Sequence, residues 1–444
     1  MIDRHQLLTH VLRTWVGGAV AVLLMAHASV THAQLAFERE PVNYYTAAAD
    51  NAVTELQARI DADDVTLDFH PERGYLDAVL EQLQVMPSSQ MLVFSKTSFQ
   101  ASRISPRNPR ALYFNDKVYV GWVRGGDVME VTAVDPQLGA VFYTLDQAEM
   151  DQPTFIRDQG NCMACHASSN TQGVPGHTVR SVYTAPNGMP HFGVGTFRTN
   201  HSSPLKERWG GWYVTGTHGR QRHMGNVVIA DRSEARSFDL DEGANVTDLA
   251  DRFPAGGYLS THSDLVALMV LEHQSEMHNL ITCANYAARF ALRDAAIMDN
   301  LLEREPGELS DSTQRRIATA GDRLLRYMLF VDEAPLVDAI RGTSDFAVEF
   351  AAQGPFTAGG RSLRQLNLKE RLFEHPCSYL IYSEAFAALP EPMLDYVYQQ
   401  LWEVLTAAAA SDDFAHLSIE QRRVLLEILR DTVPALPDYW HQGA

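Results

Sequence analysis

The chain has 444 residues, of which 45% are apolar, 9% aromatic and 20% charged. This composition belongs to a folded protein with room for two or three domains and excludes a disordered or collagen-like chain. A formal charge of −19 argues against nucleic-acid binding and against electrostatic adhesion to anionic lipid.

The first residues have the form of an export signal. Arg4 and Arg13 precede the uncharged stretch 15–25, and Thr31-His32-Ala33 offers small residues at the −3 and −1 positions before Gln34. The apolar stretch is short for a bilayer span and suits a signal h-region; a retained N-terminal anchor is the alternative. Cleavage after Ala33 removes Asp3, Arg4 and Arg13 and leaves a charge of −20. A periplasmic protein with no membrane span is the expectation, since no later window has an uncharged run long enough for one.

Residues 50–60 and 76–83 have helical spacing, and 90–95 reads as a strand. From 111 to 145, β-branched and aromatic runs alternate with Asn115-Asp116, Gly125-Gly126 and Gly139, the pattern of successive hairpins. Residues 150–178 hold a cysteine pair and a Gly/Pro loop, and 179–231 return to aromatic, Gly-rich, strand-like sequence. Residues 232–261 are polar and acidic and read as a linker. Helices are predicted over 262–303, 311–330, 367–389, 391–408 and 418–433, with Pro390 and Pro392 separating two of them. The expected fold class is α+β: a signal peptide at 1–33, an N-terminal sheet-containing region at 34–149, a cofactor segment at 150–231, the linker, and an α-helical domain at 262–444. There is no internal repeat.

Cys162-Met163-Ala164-Cys165-His166 is the sharpest chemical signal. Two thiols separated by two residues can add to the two vinyl groups of one haem, and the adjacent His then supplies the proximal imidazole. With 4 Cys and 17 His in the chain, chance produces this arrangement in roughly one sequence in several hundred. A thioredoxin-like redox pair usually opens a helix after a strand in a βαβ setting, which residues 140–175 do not resemble. A zinc knuckle needs two more ligands, and Cys283 and Cys377 are more than a hundred residues away. A plain disulfide leaves His166 without a role.

The motif resembles that of the c-type cytochromes, and Gly173-Val174-Pro175-Gly176 is similar to the loop that small cytochromes place after the His. The resemblance implies one covalent haem c on Cys162 and Cys165, with His166 as iron ligand. It covers this segment only. The chain is roughly four times the size of a compact cytochrome, and it has one attachment motif where the two-haem bacterial peroxidases have two.

The sixth iron position separates the functions. A Met or His there favours electron transfer, and an open position favours binding or activating a small molecule. Met224, 58 residues after His166, is the first candidate and His223 the second; His218, His177, Met189, His191 and His201 are others. The leading expectation is electron transfer with a redox partner protein. The alternatives are a haem oxidoreductase, peroxidase-like or acting on a small organic substrate, and a haem-containing subunit or sensor of a redox complex.

Other residues carry two readings each. Glu272, His273, Glu276 and His278 lie in a helix that is apolar nearly all round, and form either an acid/base or second metal site or a polar network joined to Arg289 or another arginine. Arg103, Arg107 and Arg110 suit carboxylates such as haem propionates, or form a solvated loop. Trp209, Trp212 and Tyr213 wall a pocket or fill a core. Cys283 and Cys377 either pair or stay free.

Overall fold

The computed structural model describes residues 35–303, 309–409 and 411–441. The export-signal reading lies outside them. The architecture is α+β, as expected. Two N-terminal helices, α1 (Ala52–Asp61) and α2 (Leu76–Gln82), precede β1 (Met91–Val93), β2 (Arg110–Phe114), β3 (Val118–Val123), β4 (Val128–Asp135) and β5 (Gly139–Asp146). The strands fall where the alternation and turn residues predict them. β6 (Phe155–Arg157) and β9 (Trp212–Tyr213) complete one antiparallel sheet in the order β6-β5-β4-β3-β2-β1-β9, and β7 (Arg180–Val182) pairs with β8 (Thr196–Arg198) as a separate ribbon. The segment expected to hold the cofactor is therefore built into the N-terminal sheet at both edges.

Side chains alternate across a strand, so the register assigns the sheet two faces. Tyr113, Val120, Trp122, Val131, Val141 and Leu145 share one face and pack with Val53, Leu56, Leu76 and Val79 of α1 and α2. The expected linker contributes Leu249, Phe253 and Tyr258 to this core; their apolar area ties it down. On the other face Phe114 and Tyr119 join the larger core.

That core forms around α4 (Leu265–Leu301), 37 residues and so about 55 Å long. Every residue from Leu265 to Thr282 is buried. Asp264 starts the helix: its Oδ1 accepts from the N–H groups of Val266 and Ala267, and its Oδ2 from those of Thr343 and Ser344. One carboxylate thus caps the helix and fastens a distant loop to it. α5 (Asp311–Met328), α6 (Phe346–Ala352), α7 (Glu384–Ala387) and α8 (Glu391–Thr406) pack on α4, and α9 (Ile419–Thr432) packs on α8. The predicted helix over 367–389 is absent: the stretch holds only a 3-10 turn at Tyr379–Tyr382 and the short α7. Pro376 disfavours helix at the preceding residue, and Tyr379, Leu380, Ile381 and Phe386 are buried by partners from other elements. No helix among the described residues is long and apolar enough to cross a membrane.

Candidate functional site

The cysteine motif forms one helical turn, α3 (Met163–His166), the first helix after β6. His166 N–H donates to the Cys162 carbonyl at 3.0 Å. Residues three and four apart share a helix face, so Cys162, Cys165 and His166 lie on one side. Met163 and Ala167 occupy the other and are buried in the N-terminal core. Asp158 shapes the approach: its carboxylate accepts from the N–H groups of Gly160, Asn161 and Cys162. Both thiols are free, Cys162 half-buried and Cys165 exposed. Burial, with Asp158 beside it, pushes the Cys162 thiol up to about 12. Redox-active cysteine pairs need the opposite shift.

The His166 imidazole is fixed by its backbone. Its Nδ1 lies 2.9 Å from the Gly176 carbonyl, which can only accept, so Nδ1 carries the proton and Nε2 presents a lone pair. Gly176 N–H returns a bond to the His166 carbonyl at 2.8 Å. α4 holds this loop through Asn279: its Oδ1 accepts from His177 N–H at 2.8 Å and its Nδ2 donates to the His177 carbonyl at 2.7 Å. Gly176 is required here, because a Cβ would sit 2.1 Å from Asn279 Oδ1. Burial keeps His166 below its ordinary pKa, against the Gly176 bond, so the ring is neutral and able to ligate. Phe142 of β5 packs on it at 4.7 Å.

Beside α3 the sheet carries a half-buried row, Arg110, Leu112, Glu130, Thr132 and Thr144. Arg110 pairs with Glu130, and its guanidinium crosses β3 where Gly121 has no side chain; a Cβ there would meet it at 2.2 Å. Both charges act on Cys162 and His166. Of the three arginines singled out in the sequence, Arg110 is the one at the site. Arg103 pairs with Asp127 at the surface, and Arg107 lies near Tyr213.

The sixth-ligand candidates are mostly engaged elsewhere. Met224 is buried, with Ser181 Oγ donating toward its Sδ at 3.5 Å. His223 Nδ1 accepts from Gly225 N–H, and its ring packs on Trp209 and His218. His218 uses both ring nitrogens, on Gln221 and Asn245. His191 bonds the Ile229 carbonyl, and Met189 is exposed. None of these bonds or ring contacts reaches residues 162–166 among the described residues. His177 is different: its ring lies 4.0 Å from Tyr119 and 6.1 Å from Phe142, and neither nitrogen has a hydrogen-bond partner.

The polar residues of α4 form a network, and their arginines are not Arg289, which bonds the carbonyls of Gln137 and Pro41. Glu272 pairs with Arg208 at 2.9 Å, both fully buried. Its Oε1 makes no hydrogen bond of ordinary geometry, although Thr199 and Trp209 lie close enough to favour the charged form against burial, which raises the pKa. Glu276 pairs with Arg198 at 3.1 Å and accepts from Gln172 at 2.8 Å. His273 meets His201, Nδ1 to Nδ1 at 3.0 Å, and Ser378. Tyr119 Oη accepts from Gln274 and lies 2.8 Å from His278 Nδ1. Composition placed none of Tyr119, Asn279 or Arg208 at a site; only the Glu and His spacing on α4 pointed toward that region.

Trp209 and Trp212 are core residues, and Tyr213 stacks on Phe253. Cys283 and Cys377 are unpaired; Cys283 Sγ lies 3.9 Å from Gln172 Oε1, and Cys377 is buried in the helical core. Among the described residues no three His, Cys, Asp or Glu side chains are arranged to hold a bare metal ion. A cavity of about 450 Å³ opens where α4, α5 and the loop after His166 meet. No protein-family model, no curated protein and no solved structure matches the chain.

Proposed function

We propose that this chain is an exported c-type protein that holds one haem c covalently on Cys162 and Cys165, with His166 as the proximal iron ligand, and that it transfers electrons to or from a redox partner protein. The observation that carries this reading is the His166 imidazole. Its Nδ1–H is committed to Gly176, leaving Nε2 free beside two unpaired thiols on the same side of one helical turn. Ligating histidines are oriented by such a bond on the other nitrogen. Haem held there supplies a one-electron iron couple. The chain's own residues orient and shield: Asp158 sets the first turn of α3, Asn279 and Gly176 hold the tautomer, and Phe142 packs on the ring.

A second reading, a haem oxidoreductase with an open distal side, is favoured by two observations. Met224 and His223 are engaged by other partners, and a ligand-sized cavity adjoins the loop after His166. Production with a haem-attachment system tests both. The first expectation is colour that survives acid extraction and a mass increase of one haem, both lost in Cys162→Ala/Cys165→Ala. A protein with the mass of the bare polypeptide overturns the haem reading. A low-spin spectrum indifferent to CO and peroxide supports electron transfer, and a high-spin, peroxide-reactive one supports the oxidoreductase.

A further inference from the structure

The cavity between α4, α5 and the loop after His166 is lined by none of Cys162, Cys165 and His166. Its volume, about 450 Å³, suits a small organic molecule. One wall is apolar, with Leu280 and Tyr327 buried. The Tyr327 ring is stacked on His201, with centroids 3.9 Å apart and planes 11° from parallel, which holds it in place.

The other wall is polar, with Gln172, Arg198, Glu276 and Arg323 converging on the space. Glu276 is already satisfied by Arg198 and Gln172. Arg326 is likewise neutralised, by Asp332 and Asp413. Arg323 has no carboxylate within ion-pair distance among the described residues. It donates to Gln172 Oε1, and a guanidinium with five N–H groups keeps most of them for a ligand. Gln172 itself has φ of 60°, a left-handed conformation uncommon for a residue with a side chain. It ends the 3-10 turn Ser169–Thr171, and its amide lies between Glu276 and Arg323.

We propose that this cavity binds a small organic carboxylate, with the anion on the Arg323 guanidinium and the apolar body against Leu280 and Tyr327. Arg323, the lining arginine without a carboxylate in ion-pair contact among the described residues, is the group that meets the anion. The apolar wall selects against an inorganic anion, and guanidinium–carboxylate pairing selects against a neutral analogue. The site does not depend on the haem reading, since all its groups belong to the polypeptide.

Titration calorimetry on the full-length protein, with benzoate, benzamide and inorganic phosphate as probes, tests the assignment. Benzoate saturates one site per chain, and benzamide and phosphate bind at least about tenfold more weakly. Arg323→Gln, at an exposed position, keeps the unfolding midpoint and brings benzoate to the level of benzamide. Benzamide matching benzoate, phosphate binding more tightly, no saturable benzoate binding, or unchanged benzoate affinity in Arg323→Gln each overturns the proposal. The comparison of probes on the unsubstituted protein decides even where the variant fails to fold. Heat of binding is read apart from colour, so loss of the haem reading and loss of this one are separate results.

Discussion

Replacing Gly176 with alanine tests the idea that α4 sets the His166 tautomer. The added Cβ would lie 2.1 Å from Asn279 Oδ1, well inside contact distance. Asn279 is buried and holds both backbone groups of His177, at 2.8 and 2.7 Å. Rotating it away leaves a buried N–H and C=O unpaired, at about 1–3 kcal/mol each, so the expected destabilisation is about 2–6 kcal/mol. Moving the backbone instead shifts the Gly176 carbonyl off His166 Nδ1, which weakens that bond too. Urea unfolding measures the stability, and NMR exchange of the His166 Nδ1 proton measures the bond, expected slow in the parent and fast in Gly176→Ala. Because the clash and the lost bonds involve the same side chain, Gly176→Ala/Asn279→Ala should cost little more than Asn279→Ala alone. A single variant within about 0.5 kcal/mol of the parent, or a double variant costing the full sum, refutes the reasoning.

Two further outcomes are expected. Arg208→Met leaves Glu272 buried without its cation and destabilises by about 3–5 kcal/mol at neutral pH. Burial already raises the Glu272 pKa in the folded protein, with Arg208 opposing it. A raised folded-state pKa means stability present at acid pH and lost as pH rises through it, and removing Arg208 raises it further, so the gap between variant and parent narrows toward pH 5 and widens toward pH 8 in unfolding curves. In protein made without haem attachment, iodoacetamide should modify exposed Cys165 well before Cys162, whose thiol is pushed up to about 12; peptide mass mapping at pH 8 checks this, and equal rates contradict the described burial.

Much of the N-terminal half was legible locally. The strands at 118–123 and 128–135 follow from side chains that alternate between two faces and from Asx and Gly turns, both short-range effects. The long helix was legible because its apolar residues leave no polar face, and Cys162, Cys165 and His166 because their spacing stands out in a chain with four cysteines. The predicted helix at 367–389 failed for the opposite reason: its apolar run is buried by neighbours on several sides, and burial without helical hydrogen bonding leaves no period to separate the two. The α6 helix, seven residues long, was too short to show one.

What the local order of residues determined is therefore the fold class, the sheet and the one turn that presents two thiols and an imidazole. What only the assembled chain decided is which groups stand against that turn. Asn279 reaches His177 across 102 residues and Arg208 reaches Glu272 across 64, and nothing in the intervening sequence marks either pairing. Hydrogen bonds and ion pairs need contact at about 3 Å, and contact between distant residues follows from how the sheet and α4 pack, not from the order in which they are written.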